Sequence, residues 1–282
     1  MVELPRRTGI GLRAVHTEAI LRQRPAIPWL EVLVDNALGL PEDALRQLDR
    51  LRADYPMVFH GVGLNAGSED PPDRNYLRQI AALAERLQPA LYSEHLAWTG
   101  AGGRFHHDLL PLPLTEATLE RFCSRAALAA DLVGMPVAFE NPAAYGRVRG
   151  STITEPEFLN RLARSTGGGL LLDINNLWVS SWNLGFAAPS WLAALDTGQV
   201  RYLHLAGHQD HGTHLFDSHD GPAAAPVLDL LATFTGMAGP RPALLEWDTA
   251  IPDLDEVLAA AAQADRVLLA APRMEEEAGR VP

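Results

Sequence analysis

Histidine and carboxylate residues recur at the ends of short apolar segments along this sequence. The segments are rich in Val, Leu or Phe, and six of them end with a side chain that can bind a metal ion: His60, His95, Glu140, Asp173, His204 and Glu246. A single histidine at such a position is usually a hydrogen-bonded core residue, but the repetition favours a shared site. Burying these imidazoles and carboxylates together without a cation would cost several kcal/mol per charge. The pattern therefore predicts a catalytic metal centre.

A second group of candidate ligands follows the seventh apolar segment. It consists of His208, Asp217 and His219, joined by Asn175 from the preceding segment. Two imidazoles with one carboxylate are typical ligands of non-haem iron(II), with coordination positions left open for oxygen or substrate. Zinc would usually be satisfied by four ligands. The two groups together predict more than one divalent ion.

The remaining histidines and the cysteine lack this context. We expect the following histidines to be surface or loop residues: His16, His106, His107, His211 and His214. Cys123 falls among Leu119, Phe122 and Ala126 in a helical pattern, so we expect a small buried residue and not a nucleophile.

Composition excludes several classes of chemistry. All 23 basic residues are Arg, which rules out Schiff-base catalysis and a P-loop lysine. One cysteine rules out disulfides, cysteine-ligated zinc and iron–sulfur clusters. The net charge of −12 argues against binding to nucleic acid. No apolar run approaches the roughly 18 residues of a membrane helix, and no apolar stretch follows Arg6 and Arg7, so we expect no membrane association and a cytoplasmic protein.

Strand-like and helix-like segments alternate along the chain. The strand candidates are residues 8–12, 29–35, 57–62, 90–95, 136–141, 169–175, 200–206 and 243–248. Helical patterns begin near Pro41, Asp73, Thr115, Thr154 and Asp253, with Thr115 as a cap and Thr154 to Glu157 as a capping box.

This alternation predicts parallel pairing and a single-domain (β/α)8 TIM barrel over about residues 8–271, followed by a short acidic tail. An open doubly wound sheet would leave two strands unexplained, and the first turn carries no dinucleotide fingerprint.

In such a barrel all strands end at one mouth, so the candidate ligands should meet there. Alternation along a strand puts Ser93 and His95 on one face, turns Glu94 towards the helices, and puts Asp173 and Asn175 on a shared face. We expect the Gly-rich residues 100–108 to form a solvated loop. Three tryptophans follow strand ends closely and are candidate substrate contacts: Trp98, Trp178 and Trp247.

Several motifs at these positions make the chain resemble a known family. They are Phe59-His-Gly-Val-Gly-Leu, Ser93-Glu-His-Leu-Ala-Trp, Asp108-Leu-Leu-Pro-Leu-Pro, Phe139-Glu-Asn-Pro, Leu172-Asp-Ile-Asn-Asn, Asn183-Leu-Gly-Phe, His204-Leu-Ala-Gly-His and Glu246-Trp-Asp. In this order they resemble the multinuclear non-haem iron-dependent oxidases, formerly DUF692, over nearly the whole chain.

The resemblance implies a xylose-isomerase-like TIM barrel with two or three irons. Such enzymes use oxygen to modify ribosomally made precursor peptides, most often at cysteine, and commonly work with a small partner protein that recognises the leader peptide. The resemblance implies iron binding by the six strand-end residues, with Glu140 and Glu246 as bridging carboxylates. A third iron would use Asn175, His208, Asp217 and His219.

One segment departs from the family pattern. Relatives usually carry a His and a Glu-Asn pair at the end of the second strand, where this chain has Leu33, Asp35 and Asn36. These positions flank the site, so Asp35 and Asn36 are candidate substrate contacts. The alternatives are a redox-neutral sugar isomerase or phosphodiesterase with divalent ions as Lewis acids, and an iron-storing or metal-sensing protein.

Overall fold

The computed structural model describes residues 3–270. Within this range the strands are Thr8–Gly11 (β1), Leu30–Leu33 (β2), Met57–Gly61 (β3), Tyr92–His95 (β4), Trp98–Ala101 (β5), Arg104–Leu110 (β6), Val137–Glu140 (β7), Leu170–Asp173 (β8), Val200–Leu205 (β9), Gln209–Asp210 (β10), Leu215–Phe216 (β11) and Ala243–Leu245 (β12). The α-helices are Ala14–Gln23 (α1), Val34–Ala37 (α2), Glu42–Asp54 (α3), Arg74–Leu87 (α4), Glu116–Val133 (α5), Glu155–Thr166 (α6), Ile174–Leu184 (α7), Ala188–Ala194 (α8), Ala225–Ala238 (α9) and Leu254–Ala270 (α10). A short 3-10 helix covers Thr197–Gln199.

Eight of these strands close into a parallel barrel in the order β1-β12-β9-β8-β7-β4-β3-β2. The register aligns the strand ends, since His60 pairs with Ser93, His95 with Glu140, and Asp173 with His204. Every predicted strand segment contributes a barrel strand, so the predicted TIM barrel is confirmed.

Apolar side chains fill the lower part of the lumen. A small buried cluster contains Leu4, Trp29, Val58, Ala90, Leu171, Tyr202 and Leu244. Val58, Leu171 and Tyr202 each stand two residues before a candidate ligand on their own strand, and Leu244 stands two residues before Glu246, which directly follows β12. Alternation therefore gives both layers the same inward orientation. A larger apolar cluster lies between the barrel and its helices. The polar side chains therefore form a layer above an apolar base.

One of the two predicted side-chain caps forms, and the predicted helix start at Asp73 also carries one. The Asp73 carboxylate accepts bonds from the amides of Asn75 and Tyr76 at the start of α4, and Thr115 accepts one from Thr118 at the start of α5. The predicted capping box at Thr154 is wrong, because its side chain makes no cap bond. Acidic residues and a proline in the first turn of α6 supply the N-terminal preference instead.

The sequence did not predict α1, α2, α7, α8, α9 or the two hairpins. Residues 100–108 belong to the β5–β6 hairpin and not to an irregular loop, although residues 101–106 are exposed to solvent as expected. Gly102 and Gly103 both have positive φ, which allows the tight turn between these strands. The side chain of His107 and the acidic tail lie outside the described residues, as does the predicted barrel end at 271. None of the helices in residues 3–270 is long and apolar enough to cross a membrane.

Candidate metal centre

The six strand-end residues meet at the barrel mouth. His60 and His204 stand one residue before the ends of β3 and β9, while His95, Glu140 and Asp173 are the last residues of β4, β7 and β8. Glu246 directly follows β12. All are buried except His95, which is half-buried.

Glu140 lies between three imidazoles. Its Oε2 atom is 3.3 Å from His60 Nε2 and 3.1 Å from His95 Nε2, and its Oε1 atom is 3.5 Å from His204 Nδ1. His95 Nδ1 donates to the carbonyl of Gly61 over 3.0 Å, so the proton sits on Nδ1 and Nε2 faces Glu140 as a lone pair. This arrangement suits a carboxylate that bridges two ions.

Glu246 connects this group to a second one. Its Oε2 atom is 2.9 Å from His204 Nδ1 and 3.3 Å from His219 Nδ1. His219 Nε2 lies 4.0 Å from Asp173 Oδ2 and 2.8 Å from Asp217 Oδ1.

Asn175 and His208 complete the connected group. The amide of Asn175 donates to Asp217 Oδ1 over 2.7 Å, and His208 Nδ1 is 2.8 Å from Asn175 Oδ1. Asn175 reaches this position from the first turn of α7, because β8 already ends at Asp173. The prediction that Asp173 and Asn175 share a strand face is therefore wrong, although the structure brings both to the same group. His208 is half-buried.

Unpartnered buried atoms test whether these residues fit metal ions. Glu140 Oε2, Asp173 Oδ2 and His204 Nδ1 are buried and make no hydrogen bond. Leaving a buried polar atom unsatisfied costs about 1–3 kcal/mol, and more for a charged group. Three sets of ligand atoms lie within 4.8 Å of one another, namely His60 with Glu140 and His204, Glu31 with His204 and Glu246, and Asp173 with His219 and Glu246. The donor set fits divalent ions with oxygen and nitrogen ligands.

Burial changes the protonation of these groups. It raises the pKa of Glu140 to about 7 and that of Asp173 to about 8. Burial and the neighbouring imidazoles lower the pKa of His60. Burial also opposes charge on His204, but Glu31, Glu246 and Glu140 outweigh it and raise the pKa of His204. A bound cation would replace protons here, which couples metal binding to proton release.

The sequence reading missed Glu31, a buried acidic residue in β2. Its Oε2 atom is 2.9 Å from His204 Nε2 and accepts a bond from the Tyr202 hydroxyl. Alternation with Leu33 could have identified Glu31 as inward-facing. Glu94 faces away from the lumen, as predicted, and accepts a bond from Tyr76 of α4.

A cavity of about 1240 Å³ opens above the ligands. Asp35 and Asn36 line it, so their contact with substrate stays a prediction, but Trp98, Trp178 and Trp247 are not among its lining residues. Trp98 Nε1 instead donates to the Pro111 carbonyl. Trp178 is half-buried and Trp247 is buried, and both belong to the apolar packing.

The other histidines divide into two groups. His106, His211 and His214 are exposed, as predicted, and His214 lines the cavity. The prediction for His16 is wrong, because it is buried on α1 with Nε2 2.8 Å from the Pro252 carbonyl. Cys123 is half-buried on α5 and packs against the core.

Comparisons with known proteins match nearly the whole chain. The family model described as RiPP precursor modification enzyme MbnB/TglH/ChrH matches residues 7–269. A UPF0276 protein of Acaryochloris marina is 42% identical over 262 residues, covering 92% of this chain and 94% of that protein. A UPF0276 protein of Caulobacter vibrioides is 40% identical, covering 89% of this chain and 90% of that protein.

Solved structures share the barrel. Endonuclease IV from Thermus thermophilus has a TM-score of 0.62 at 18% identity and covers 93% of this chain and 98% of its own. A D-psicose 3-epimerase crystallised with D-fructose has a TM-score of 0.59 at 11% identity. The match covers 94% of this chain and 97% of the epimerase chain. At these identities the likeness concerns the fold alone.

Proposed function

Because the chain belongs to the MbnB/TglH/ChrH family of RiPP precursor modification enzymes, as its motifs predicted, we propose that it is an oxygen-dependent iron oxidase. Its substrate is a ribosomally synthesised precursor peptide, and the modified residue is a cysteine. The observation that carries this proposal is the connected group of imidazole and carboxylate ligands, with unpartnered buried atoms, at the mouth of a large cavity.

The ligand groups suit two or three irons. One ion would bind His60, His95 and Glu140, and a second would bind Glu246, His204 and Asp173. A third would use Asn175, His208, Asp217 and His219. When bound, iron supplies the electron transfer to oxygen that protein side chains cannot provide. Nitrogen and oxygen ligands without thiolate leave room for the substrate's own sulfur.

The protein's own residues position the substrate and exclude water. Glu140, Asp173 and His204 form a buried floor, while Arg13 from the start of α1 lines the cavity and donates to the Trp247 carbonyl over 2.9 Å. Arg13 also pairs with Asp248, so its guanidinium is held beside Glu246. A positioned cation of this kind suits a peptide carbonyl or carboxylate.

The cavity rim favours a peptide over a sugar. Four large apolar residues line it while remaining 45–69% exposed: Val15, Phe105, Tyr145 and Phe216. Exposed apolar groups that cluster at one opening mark a binding surface. The cavity also exceeds the roughly 300–1,000 Å³ of a typical small-molecule site. We further propose that a small partner protein recognises the leader peptide.

The test compares two peptides that differ in one atom. Metal-free protein is reconstituted anaerobically with Fe²⁺ and mixed with a candidate precursor peptide or its Cys→Ser version, and oxygen uptake and peptide mass are measured. We expect oxygen uptake and a mass change with the cysteine peptide only. Full activity with Mg²⁺ or Zn²⁺ under argon would contradict the oxidase and favour a redox-neutral metal enzyme.

A further inference from the structure

A chain of hydrogen bonds crosses the barrel lumen beside the candidate ligands. His60 Nδ1 lies 2.7 Å from Ser93 Oγ, which lies 2.6 Å from the Tyr202 hydroxyl. The Tyr202 hydroxyl donates to Glu31 Oε2 over 2.9 Å, and His204 Nε2 lies 2.9 Å from the same oxygen. We call these five residues the Glu31 chain. It joins two candidate ligands through one carboxylate.

Burial excludes water as an alternative partner for the Glu31 chain. Its members are at most 4% exposed, and Ser93, Tyr202 and His204 are fully buried. Buried polar groups satisfy one another, and each bond in such a network depends on the next. The direction of every bond is therefore set by the members themselves.

Counting donors and acceptors fixes that direction. The Glu31 carboxylate only accepts, so Tyr202 and His204 Nε2 both donate to it. Tyr202 has one proton, so Ser93 must supply the proton in the 2.6 Å contact between their hydroxyls. Ser93 must then accept from His60 Nδ1. The other use of the Ser93 proton is a longer contact of 3.3 Å to the Phe59 carbonyl.

These bonds engage one nitrogen of each histidine and leave the other nitrogen outside the Glu31 chain. The free nitrogen of His60 is Nε2, 3.3 Å from Glu140 Oε2. The free nitrogen of His204 is Nδ1, a buried atom without a hydrogen bond, 2.9 Å from Glu246 Oε2. Although burial opposes charge on His204, the neighbouring carboxylates raise its pKa, so a proton lies at its Nδ1 atom in the metal-free protein, and a bound cation would replace that proton. Both free nitrogens thus face the candidate metal centre.

We propose that Glu31 is a positioning residue which, through Tyr202 and Ser93, fixes the tautomers of His60 and His204 and so selects the nitrogen by which each binds metal. The Oε2 atom of Glu31 accepts both of these hydrogen bonds, so the chain and not a metal ion holds this oxygen. This inference rests on the proposed metal centre. It adds that a single carboxylate outside the ligand set controls two ligands at once.

The experiment titrates metal-free protein with Co²⁺ alone. The variants are Tyr202→Phe, Glu31→Gln and Ser93→Ala, so that one which fails to fold leaves two others. The matched control is Tyr92→Phe, a fully buried tyrosine whose hydroxyl donates to Glu94 over 2.7 Å outside the lumen. The readouts are the number of bound ions, the affinity and the visible spectrum of bound Co²⁺. Thermal unfolding of the metal-free proteins checks folding.

We expect Tyr202→Phe to bind the same number of ions with an affinity reduced roughly 10- to 100-fold and a changed spectrum. Tyr92→Phe should match the wild type. Wild-type affinity and spectrum in all folded chain variants would overturn the inference. Loss of one bound ion in Glu31→Gln, with Tyr202→Phe unchanged, would make Glu31 a ligand and also overturn it. A wild-type protein that binds no Co²⁺ would instead contradict the proposed function.

Discussion

At the scale of single residues, Glu140 and Glu246 have different roles within one group. Glu140 contacts His60 and His95, with burial raising its pKa to about 7. Burial also disfavours charge on Glu246, but His204 and His219 outweigh it and lower the pKa of Glu246. Glu246 therefore stays ionised in the metal-free protein and offers a ready anionic ligand.

Replacing Glu246 by alanine should reduce bound iron and abolish turnover. The change removes the carboxylate oxygen that lies 2.9 Å from His204 Nδ1 and 3.3 Å from His219 Nδ1. Both imidazoles then lose the anion between them. Elemental analysis after anaerobic reconstitution, together with oxygen uptake, measures the effect. Glu120→Ala, an exposed residue on α5, serves as the control, and retained iron and rate in Glu246→Ala would remove Glu246 from the centre.

Replacing Cys123 by serine should leave catalysis intact. Cys123 packs against the core from α5 and does not line the cavity. Steady-state turnover and thermal unfolding would be compared with the wild type. Lost activity in a folded Cys123→Ser protein would show that this thiol takes part in the reaction.

At the scale of elements, Asp173 lies between a strand that the sequence predicts and a helix that it does not predict. Its apolar strand was predictable, because a buried parallel strand is a continuous apolar run. Its Oδ1 atom, however, caps α7 by accepting from the Asn176 amide over 2.7 Å, which ends β8 and puts Asn175 on a helix. The same carboxylate therefore serves the fold with one oxygen and the candidate site with the other.

Long-range partners account for most of what the sequence reading missed. The hydrogen-bond partners of Glu31 are Tyr202 and His204, which lie 171 and 173 residues away in sequence, so a local pattern could not reveal them. The strands of the β10–β11 hairpin have two residues each, too few for a periodic pattern to appear. The six strand-end candidate ligands could be predicted because each stands at the end of its own apolar strand.

Glu155 on α6 should make stability depend on pH. Burial raises the pKa of Glu155 to about 7, although the bond from Trp191 Nε1 to its carboxylate opposes this. A carboxyl with a raised pKa stabilises the fold fully below its unfolded pKa, and this contribution is lost as pH rises through about 7. Between about pH 5 and pH 8 the free energy of unfolding of Glu155→Gln should therefore rise by roughly 1 kcal/mol relative to that of the wild type. This figure allows for the helix dipole, which favours the charged carboxylate.

Urea unfolding at both pH values measures this difference. Glu157→Gln, an exposed residue in the same first turn, is the control for the helix dipole. An equal pH dependence in wild type and Glu155→Gln would show that the Glu155 carboxyl titrates normally.

At the scale of the whole molecule, the cavity rim collects residues from distant parts of the chain. Val15 comes from α1, Phe105 from the β5–β6 hairpin and Phe216 from the β10–β11 hairpin. Tyr145 packs beside the β10–β11 hairpin. Its hydroxyl accepts a hydrogen bond from the Asp217 amide, and its ring lies 6.1 Å from the ring of Phe216. The barrel thus supplies the ligands, and the added elements supply the rim.

Phe216→Ala should weaken peptide binding and leave the chemical step unchanged. Removing a ring that contacts substrate should raise KM for the peptide about 5- to 30-fold, equivalent to about 1–2 kcal/mol, at constant kcat. Trp182→Ala removes an aromatic residue that is 42% exposed but does not line the cavity, and should match the wild type. An unchanged KM in Phe216→Ala would place the peptide elsewhere.

The apolar base of the lumen has a consequence for how a long substrate is handled. Trp29, Val58, Leu171 and Tyr202 are at most 1% exposed, so the lumen is sealed below the ligands. A polypeptide cannot thread through it and must enter and withdraw by the same opening. A precursor with several target residues would therefore have to present each of them in turn through this one opening.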